Sequence, residues 1–267
     1  MTGGQEASPS SGIRVEAAQG VLPRFRLDAV IPVYNEEHVL AGSVERLRAF
    51  LAEHMGGYRW RIVVADNASI DGTLAVAEGL AAAHPNEVAL VHLLQKGRGR
   101  ALRHAWLNSD ADILSYMDVD LSTDLSHYPL LIQCIVNGYD VATGSRLLPE
   151  SKTNRSPKRE FISRSYNLIT KLTHFTKIVD MQCGFKALSR RAAQELIPLV
   201  ENNQWFFDTE LLLLAEKFGY RIKEIPVQWL EDPDTRVKIV ATVMEDLHGL
   251  VRLRLHPPAR PAAANLD

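Results

Sequence analysis

Ile113-Leu114-Ser115-Tyr116-Met117-Asp118-Val119-Asp120 is an apolar run that ends on two carboxylates one residue apart. In an extended segment side chains alternate faces, so Asp118 and Asp120 project to the same side at the strand's end. Oxygen donors in this arrangement suit a hard divalent cation, Mg²⁺ or Mn²⁺, which takes a few carboxylates and completes its shell with substrate phosphates. A solvated strand end is the plainer reading of the same pair. The neighbouring segments decide between them.

Upstream, Leu27-Asp28-Ala29-Val30-Ile31-Pro32-Val33-Tyr34-Asn35-Glu36-Glu37 reads as a strand stopped by Pro32, then a polar turn into a helix that Asn35 can cap. Arg61-Ile62-Val63-Val64-Ala65-Asp66-Asn67-Ala68-Ser69-Ile70-Asp71-Gly72-Thr73 repeats the pattern, with Asp71 placed to cap the next helix. In Gln95-Lys96-Gly97-Arg98-Gly99-Arg100, glycines and bases precede a helix start, where backbone amides and the helix dipole favour phosphate. Neither the Walker nor the dinucleotide spacing is present. Strand-like runs at 27–32, 61–65, 88–93, 113–117 and 141–144 alternate with helical patterns near 36–54, 72–84, 99–109 and 126–137. This alternation predicts an α/β domain with a mostly parallel central sheet and helices on both faces. Ligands of such sheets bind beyond the carboxyl ends of the strands, where these polar residues fall. After Arg146 the pattern changes to helices near 158–178, 189–199 and 207–218, a strand at 221–225 and a last helix near 238–254.

In this order, with Gly144-Ser145-Arg146, Asp180-Met181-Gln182-Cys183-Gly184-Phe185-Lys186 and Phe207-Asp208-Thr209-Glu210, the segments resemble the family 2 inverting glycosyltransferases. Within that family the sequence is most similar to the dolichyl-phosphate glucosyl- and mannosyltransferases. The resemblance runs from about residue 28 to 238 and implies a glycosyltransferase-A type fold. It also implies a donor side formed by Pro32, Val33, Tyr34, Glu36, Asp66, Lys96, Gly97 and Asp118-Val119-Asp120, with Asp118 and Asp120 holding metal and diphosphate. The donor would be UDP-glucose or GDP-mannose. The residue chemistry agrees: Asp66 can accept from a base N–H, Tyr34 can lie on a base face and Glu36 can accept from ribose. Two positions depart from the family pattern, which often has Lys at Arg98 and an acid at Asn67.

Transfer to a hydroxyl requires a general base, whereas a phosphate monoester, with a second pKa of about 6, is already largely dianionic at neutral pH. For a phosphate acceptor, cations matter more. Arg159 and Ser163 are four residues apart and share a helix face. The resemblance implies acceptor-phosphate contacts at Arg146, Arg159 and Ser163, with Arg164 a further candidate and polyprenyl phosphate the acceptor. It assigns catalytic positions to Asp118, Asp120, Arg146 and Asp208; a comparable acid serves as a base in relatives with hydroxyl acceptors, while Asp208 here can position the sugar or a loop, with helix-start stabilisation the alternative. Gln182 and Lys186 fall near the implied sugar pocket. Trp229, Arg236 and Lys238 resemble a late loop over donor or acceptor, with core packing the alternative for Trp229.

The chain has 267 residues, 46% of them apolar, enough for one substantial core. A formal charge of −2 excludes the global basic footprint of a nucleic-acid binder. The two cysteines show no zinc or redox spacing. Residues 1–24 and 256–267 read as disordered tails around a catalytic domain at 25–255, whose nucleotide-sugar half extends to about 146 and whose acceptor half follows. No signal-peptide pattern and no run of ~18 apolar residues occur, so a cytoplasmic chain is expected, peripheral at the inner membrane face. A soluble hydroxyl acceptor and a non-catalytic nucleotide-sugar binding module are the competing functional readings.

Overall fold

A computed structural model describes residues 25–154, 156–230 and 239–260, without the side chains of Lys158, Arg159 and residues 239–241. The predicted N-terminal tail, Arg236, Lys238 and the end of the predicted C-terminal tail lie outside the described residues; 256–260 are irregular backbone. In chain order the elements are β1 (Phe25–Val33), α1 (Leu40–His54), β2 (Tyr58–Asn67), α2 (Thr73–Ala83), β3 (Val88–Leu93), α3 (Arg98–Leu107) and β4 (Ile113–Met117). There follow α4 (Tyr128–Val136), β5 (Val141–Ser145), β6 (Lys152–Asn154), α5 (Pro157–His174), β7 (Phe185–Ser189), α6 (Arg190–Leu196) and α7 (Phe207–Lys217). Strands β8 (Ile222–Pro226) and β9 (Gln228–Leu230) precede the last helix, α8 (Ile239–Leu255).

Seven strands form one sheet in the order β3-β2-β1-β4-β7-β5-β8. Its first four strands are parallel, β5 and β8 are parallel, and β7 runs antiparallel between β4 and β5. The expected mostly parallel sheet is therefore present, with one reversed strand that the sequence pattern did not indicate. Strands β6 and β9 pair in a separate two-stranded sheet. Because β7 follows residue 146 yet separates β4 from β5, the sheet does not divide at that residue.

Alternation along β1 explains why both faces are covered. Leu27, Ala29, Ile31 and Val33 pack with Leu40, Val44, Leu47 and Leu51 of α1 and with Leu131, Ile132 and Ile135 of α4. Val30 faces the other way, into a core with Leu102 and Trp106 of α3, Ala192 and Leu196 of α6, and Leu211 to Ala215 of α7. Cutting a fully buried leucine such as Leu47 to alanine costs about 2–5 kcal/mol. Local chemistry sets the helix ends. Gly72 holds the N-cap position of α2, and Asp71 just before it accepts from the Thr73 amide at 3.0 Å through Oδ1. Ser189 Oγ accepts from the Ala192 amide at 3.2 Å at the start of α6, and α5 stops where Phe175 turns left-handed, φ 56°.

Candidate functional site

Apart from the end of α5, the non-glycine residues with left-handed backbone among the described residues are Asn35 (φ 57°), Ala68 (φ 60°) and Leu121 (φ 50°), each just past the carboxyl end of β1, β2 or β4. Such conformations cost of order 1 kcal/mol or more and persist where surrounding contacts fix them. Here the first two loops fix each other. Asn35 Oδ1 accepts from the Ile70 amide at 2.9 Å, and the Asn35 amide donates to Ser69 Oγ at 3.0 Å. Asn35 thus does not cap α1 as the sequence pattern suggested: that helix begins five residues later, and Asn35 spends its side chain across the rim. Glu37 also crosses, its Oε2 accepting from Gly72 at 2.7 Å, while the Glu36 amide donates to Thr73 Oγ1.

Asp66, expected on the nucleoside side, is completely buried at the end of β2. Its Oδ2 meets His92 Nδ1 at 2.7 Å, while its Oδ1 has no hydrogen-bond partner. A buried orphan acceptor costs about 1–3 kcal/mol unless something donates to it, so this oxygen is a socket for an N–H or O–H. Lys96 Nζ stands 3.3 Å above the Tyr34 ring, joining two of the expected donor residues. Pro32 and Val33 end β1 beside them, and Asn67 Oδ1 accepts from the Gly97 amide, tying the β2 loop to the start of α3.

At the end of β4 both carboxylates are partly exposed. Asp118 Oδ1 takes Arg98 Nη2 at 2.9 Å, Asp120 Oδ1 accepts from the Ser122 amide at 2.9 Å, and Val119 lies between them. The Asp118 amide donates to the Gly184 carbonyl at 3.3 Å, and a Cβ on Gly184 would fall 1.8 Å from Asp118 Oδ2, so only glycine leaves that oxygen room. Among the described residues no group of three or more His, Cys, Asp or Glu gathers to hold a metal. Two oxygen-only ligands with substrate phosphates completing the shell fit Mg²⁺ or Mn²⁺, which retain non-protein ligands readily.

Behind Asp118 lies a charge-balanced cluster that sequence reasoning missed. Arg98 also reaches Asp208 Oδ2 at 2.5 Å, and Asp208 Oδ1 takes the Tyr116 hydroxyl and Lys186 Nζ, the last at 3.3 Å. Burial alone would raise the Asp208 pKa, but Lys186 and Arg98 outweigh it and hold the carboxyl below its ordinary value. Burial pushes the Tyr116 hydroxyl well above its usual range. Trp205 lies 5.0 Å from the Arg98 guanidinium and stays partly exposed, which adds an aromatic wall to the site. Lys186, expected near the sugar, is instead fully buried within this cluster. Glu210 is also structural: its oxygens take the Asn202 amide at 2.9 Å and Arg252 of α8 at 2.6 Å.

The acceptor-side candidates are less gathered. Arg146 binds Asp180 through Nε and Nη2 at 2.7 and 2.8 Å, with Trp229 at 5.8 Å from its guanidinium. Trp229 bridges to Thr123, so β9 closes on the loop that carries Asp120. Gln182 Nε2 donates to Asp246 Oδ2 at 2.7 Å. On α5, Arg164 pairs with Glu160 at 2.6 Å, Ser163 is half-buried, and Arg159 falls on the same helix with its side chain outside the described set.

The family model described as glycosyl transferase family 2 matches residues 28–197. Glycosyltransferase AglD of Haloferax volcanii is 38% identical over 224 residues, covering 82% of this chain and 35% of that protein. Dolichyl-phosphate beta-glucosyltransferase ALG5C of Trichomonas vaginalis is 30% identical over 220 residues, covering 79% of this chain and 65% of that protein. The chain thus spans about a third of the first relative and just under two thirds of the second. Glucosyl-3-phosphoglycerate synthase from Mycobacterium tuberculosis, solved with Mn²⁺, UDP-glucose and phosphoglyceric acid, superposes with a TM-score of 0.66 at 16% identity. That match covers 88% of this chain and 82% of the other and shows a shared fold. With the family match extending from β1 into the segment after α6, across the rim just described, the chain belongs to glycosyl transferase family 2.

Proposed function

We propose that this chain is a hexosyltransferase that moves glucose from UDP-glucose to a polyprenyl phosphate at a membrane surface. The observation that carries the reading is the meeting, on one rim, of the unpartnered Asp66 oxygen, the Lys96–Tyr34 pair and the Asp118–Asp120 carboxylates. Such a rim has a socket for a base N–H at one end and oxygen ligands for a metal-bound diphosphate at the other. The relatives named beta-glucosyltransferases favour glucose over mannose.

In the reaction, an acceptor phosphate oxygen forms a bond to the anomeric carbon as the bond from that carbon to the diphosphate breaks, with inversion. Asp118 and Asp120 would hold Mg²⁺ or Mn²⁺, which supplies charge neutralisation for the departing diphosphate. Asp66 and Tyr34 bind and orient the nucleoside, and Arg98 keeps Asp118 in place. Asp208, ringed by two cations and a hydroxyl with its pKa depressed, is a poor proton acceptor. That disfavours a hydroxyl nucleophile and supports a phosphate, which needs no base.

The lipid side rests on α5 and α8. Phe161, Leu168, Leu172 and Phe175 of the α5 segment are 56–76% exposed, as are Val251 (57%) and Leu255 (66%) of α8, with Arg164, Lys171, Lys177 and Arg254 among them. No described helix is long and apolar enough to cross a membrane. An amphipathic surface of this kind binds by apolar burial plus attraction to anionic lipid.

The experiment is to incubate the protein and Mn²⁺ or Mg²⁺ with radiolabelled UDP-glucose, GDP-mannose and other nucleotide sugars plus polyprenyl phosphate, then count the organic phase. Label from UDP-glucose is expected there. Label appearing only in a water-soluble product shifts the acceptor to a soluble one, and bound but never transferred sugar identifies a binding module.

A further inference from the structure

Besides buried Leu250 and Leu253 and Arg254 over the Phe175 ring, four contacts among the described residues tie α8 to residue 182 and to residues 201–210. Gly249 approaches Phe206 so closely that a Cβ would lie 2.3 Å from its ring. Arg252 pairs with Glu210 and Glu201, and Glu245 accepts from Asn202 at 2.8 Å. These three hold the helix to residues 201–210. The fourth, Asp246 to Gln182, reaches the Asp180–Gly184 turn, whose Gly184 abuts the Asp118 carboxylate.

Asp246 is only 2% exposed, and its second oxygen, Oδ1, has no hydrogen-bond partner. The groups that act on it are Asp208 from α7 and Glu245 on its own helix, both like charges; Tyr166 from α5 feels its field, and Gln182 from the turn donates to it. Among the described residues no cation compensates it. Burial, ahead of these like charges, pushes its carboxyl up to about 7 despite the Gln182 bond. The order of effects is physical: one hydrogen bond to a charged group is worth about 1.5–3 kcal/mol. Burying an unpaired charge costs several kcal/mol.

We propose that Asp246 is a positioning residue for the donor sugar: bonded to Gln182 it latches α8 to the turn beside Asp118, and a charge there, costlier to bury than the bond to Gln182 repays, draws the carboxyl toward water and loosens that latch. This rests on the donor reading above, since a diphosphate held at Asp118 puts the attached sugar next to that turn. Affinity for the nucleotide sugar should then follow the state of Asp246, while affinity for the nucleotide alone should not.

The test is calorimetry of UDP-glucose and UDP with Mg²⁺ on wild type, Asp246→Asn and Gln182→Met. Wild-type affinity for UDP-glucose should fall about fivefold between about pH 6.5 and about pH 8.5. Asp246→Asn, which keeps an acceptor for Gln182 and cannot ionise, should show no such fall. Gln182→Met, with the latch cut, should bind UDP-glucose weakly at both ends of the range. UDP, whose own phosphate titrates, should give one curve for all three proteins. Parallel UDP-glucose curves for wild type and Asp246→Asn overturn the latch, as does an equal shift in the UDP curves. Failure of wild type to bind either nucleotide overturns the donor reading, and the latch with it.

Discussion

In the proposed reaction Asp118 and Asp120 supply two negative oxygen ligands just past β4, and an amide keeps the shape while removing the charge. Asp118→Asn and Asp120→Asn are each expected to lose several kcal/mol of transition-state stabilisation while folding normally. Turnover assays with and without excess chelator check this, and full activity in either variant would remove the pair from the mechanism. Asp66→Ala deletes the orphan acceptor and should weaken UDP binding by about 1–3 kcal/mol, read by calorimetry. Asp180 gives a pH prediction. Burial raises its pKa, but the two-pronged bond from Arg146 wins and holds the carboxyl well below its ordinary 3.8. The folded value lies below the unfolded one, so the stability it contributes is fully present above about pH 4 and is lost as pH falls further. Asp180→Asn should flatten that acid limb in denaturation curves and cost about 3–5 kcal/mol at neutral pH, because Arg146 is left buried and unpaired. The places of Asp66, Asp118 and Asp120 at the carboxyl ends of strands were legible because each ends a strand-like run. The Arg98–Asp208 pair was not, since 110 residues separate its members and no local spacing links them.

Among the elements, the parallel strands and most helices followed from periodicity, with ends shifted by a few residues where side chains bond across the rim instead of capping. Strands β6, β7 and β9 were the exceptions, and β7 is the one within the main sheet. Five residues long and carrying Lys186, it reads as a polar binding motif, and the pairing of that ammonium with Asp208, together with its bond to the Cys183 carbonyl, makes its burial tolerable. Strands β6 and β9, three residues each and mostly exposed, have no core face to produce a pattern. Helix α5 was legible as amphipathic, and its exposed Phe161, Leu172 and Phe175 carry a prediction. The protein should co-sediment with anionic liposomes at low salt, and Phe161→Ser with Leu172→Ser should release it, since fully burying each large apolar chain is worth about 1.5–3 kcal/mol. Undiminished sedimentation of that double variant would place the lipid contact elsewhere.

At the scale of the whole molecule, the reversed strand joins the two halves. Its antiparallel run brings the Asp180–Gly184 turn to the same rim as the carboxyl end of β4, so residues from beyond position 146 stand beside Asp118 within one sheet. A fragment ending at residue 146 should therefore fail to fold as a nucleotide-binding unit and aggregate on size-exclusion chromatography, since β4 and β5 would face each other across an empty place in the sheet. The same topology dictates an order of events during synthesis. Val141–Ser145 leave the ribosome before either of their sheet neighbours, Phe185–Ser189 and Ile222–Pro226, exists. The nascent chain carries a finished, core-bound strand with nothing to pair with, and the sheet can close only after residue 226 has been made, a period in which that edge is open to other chains.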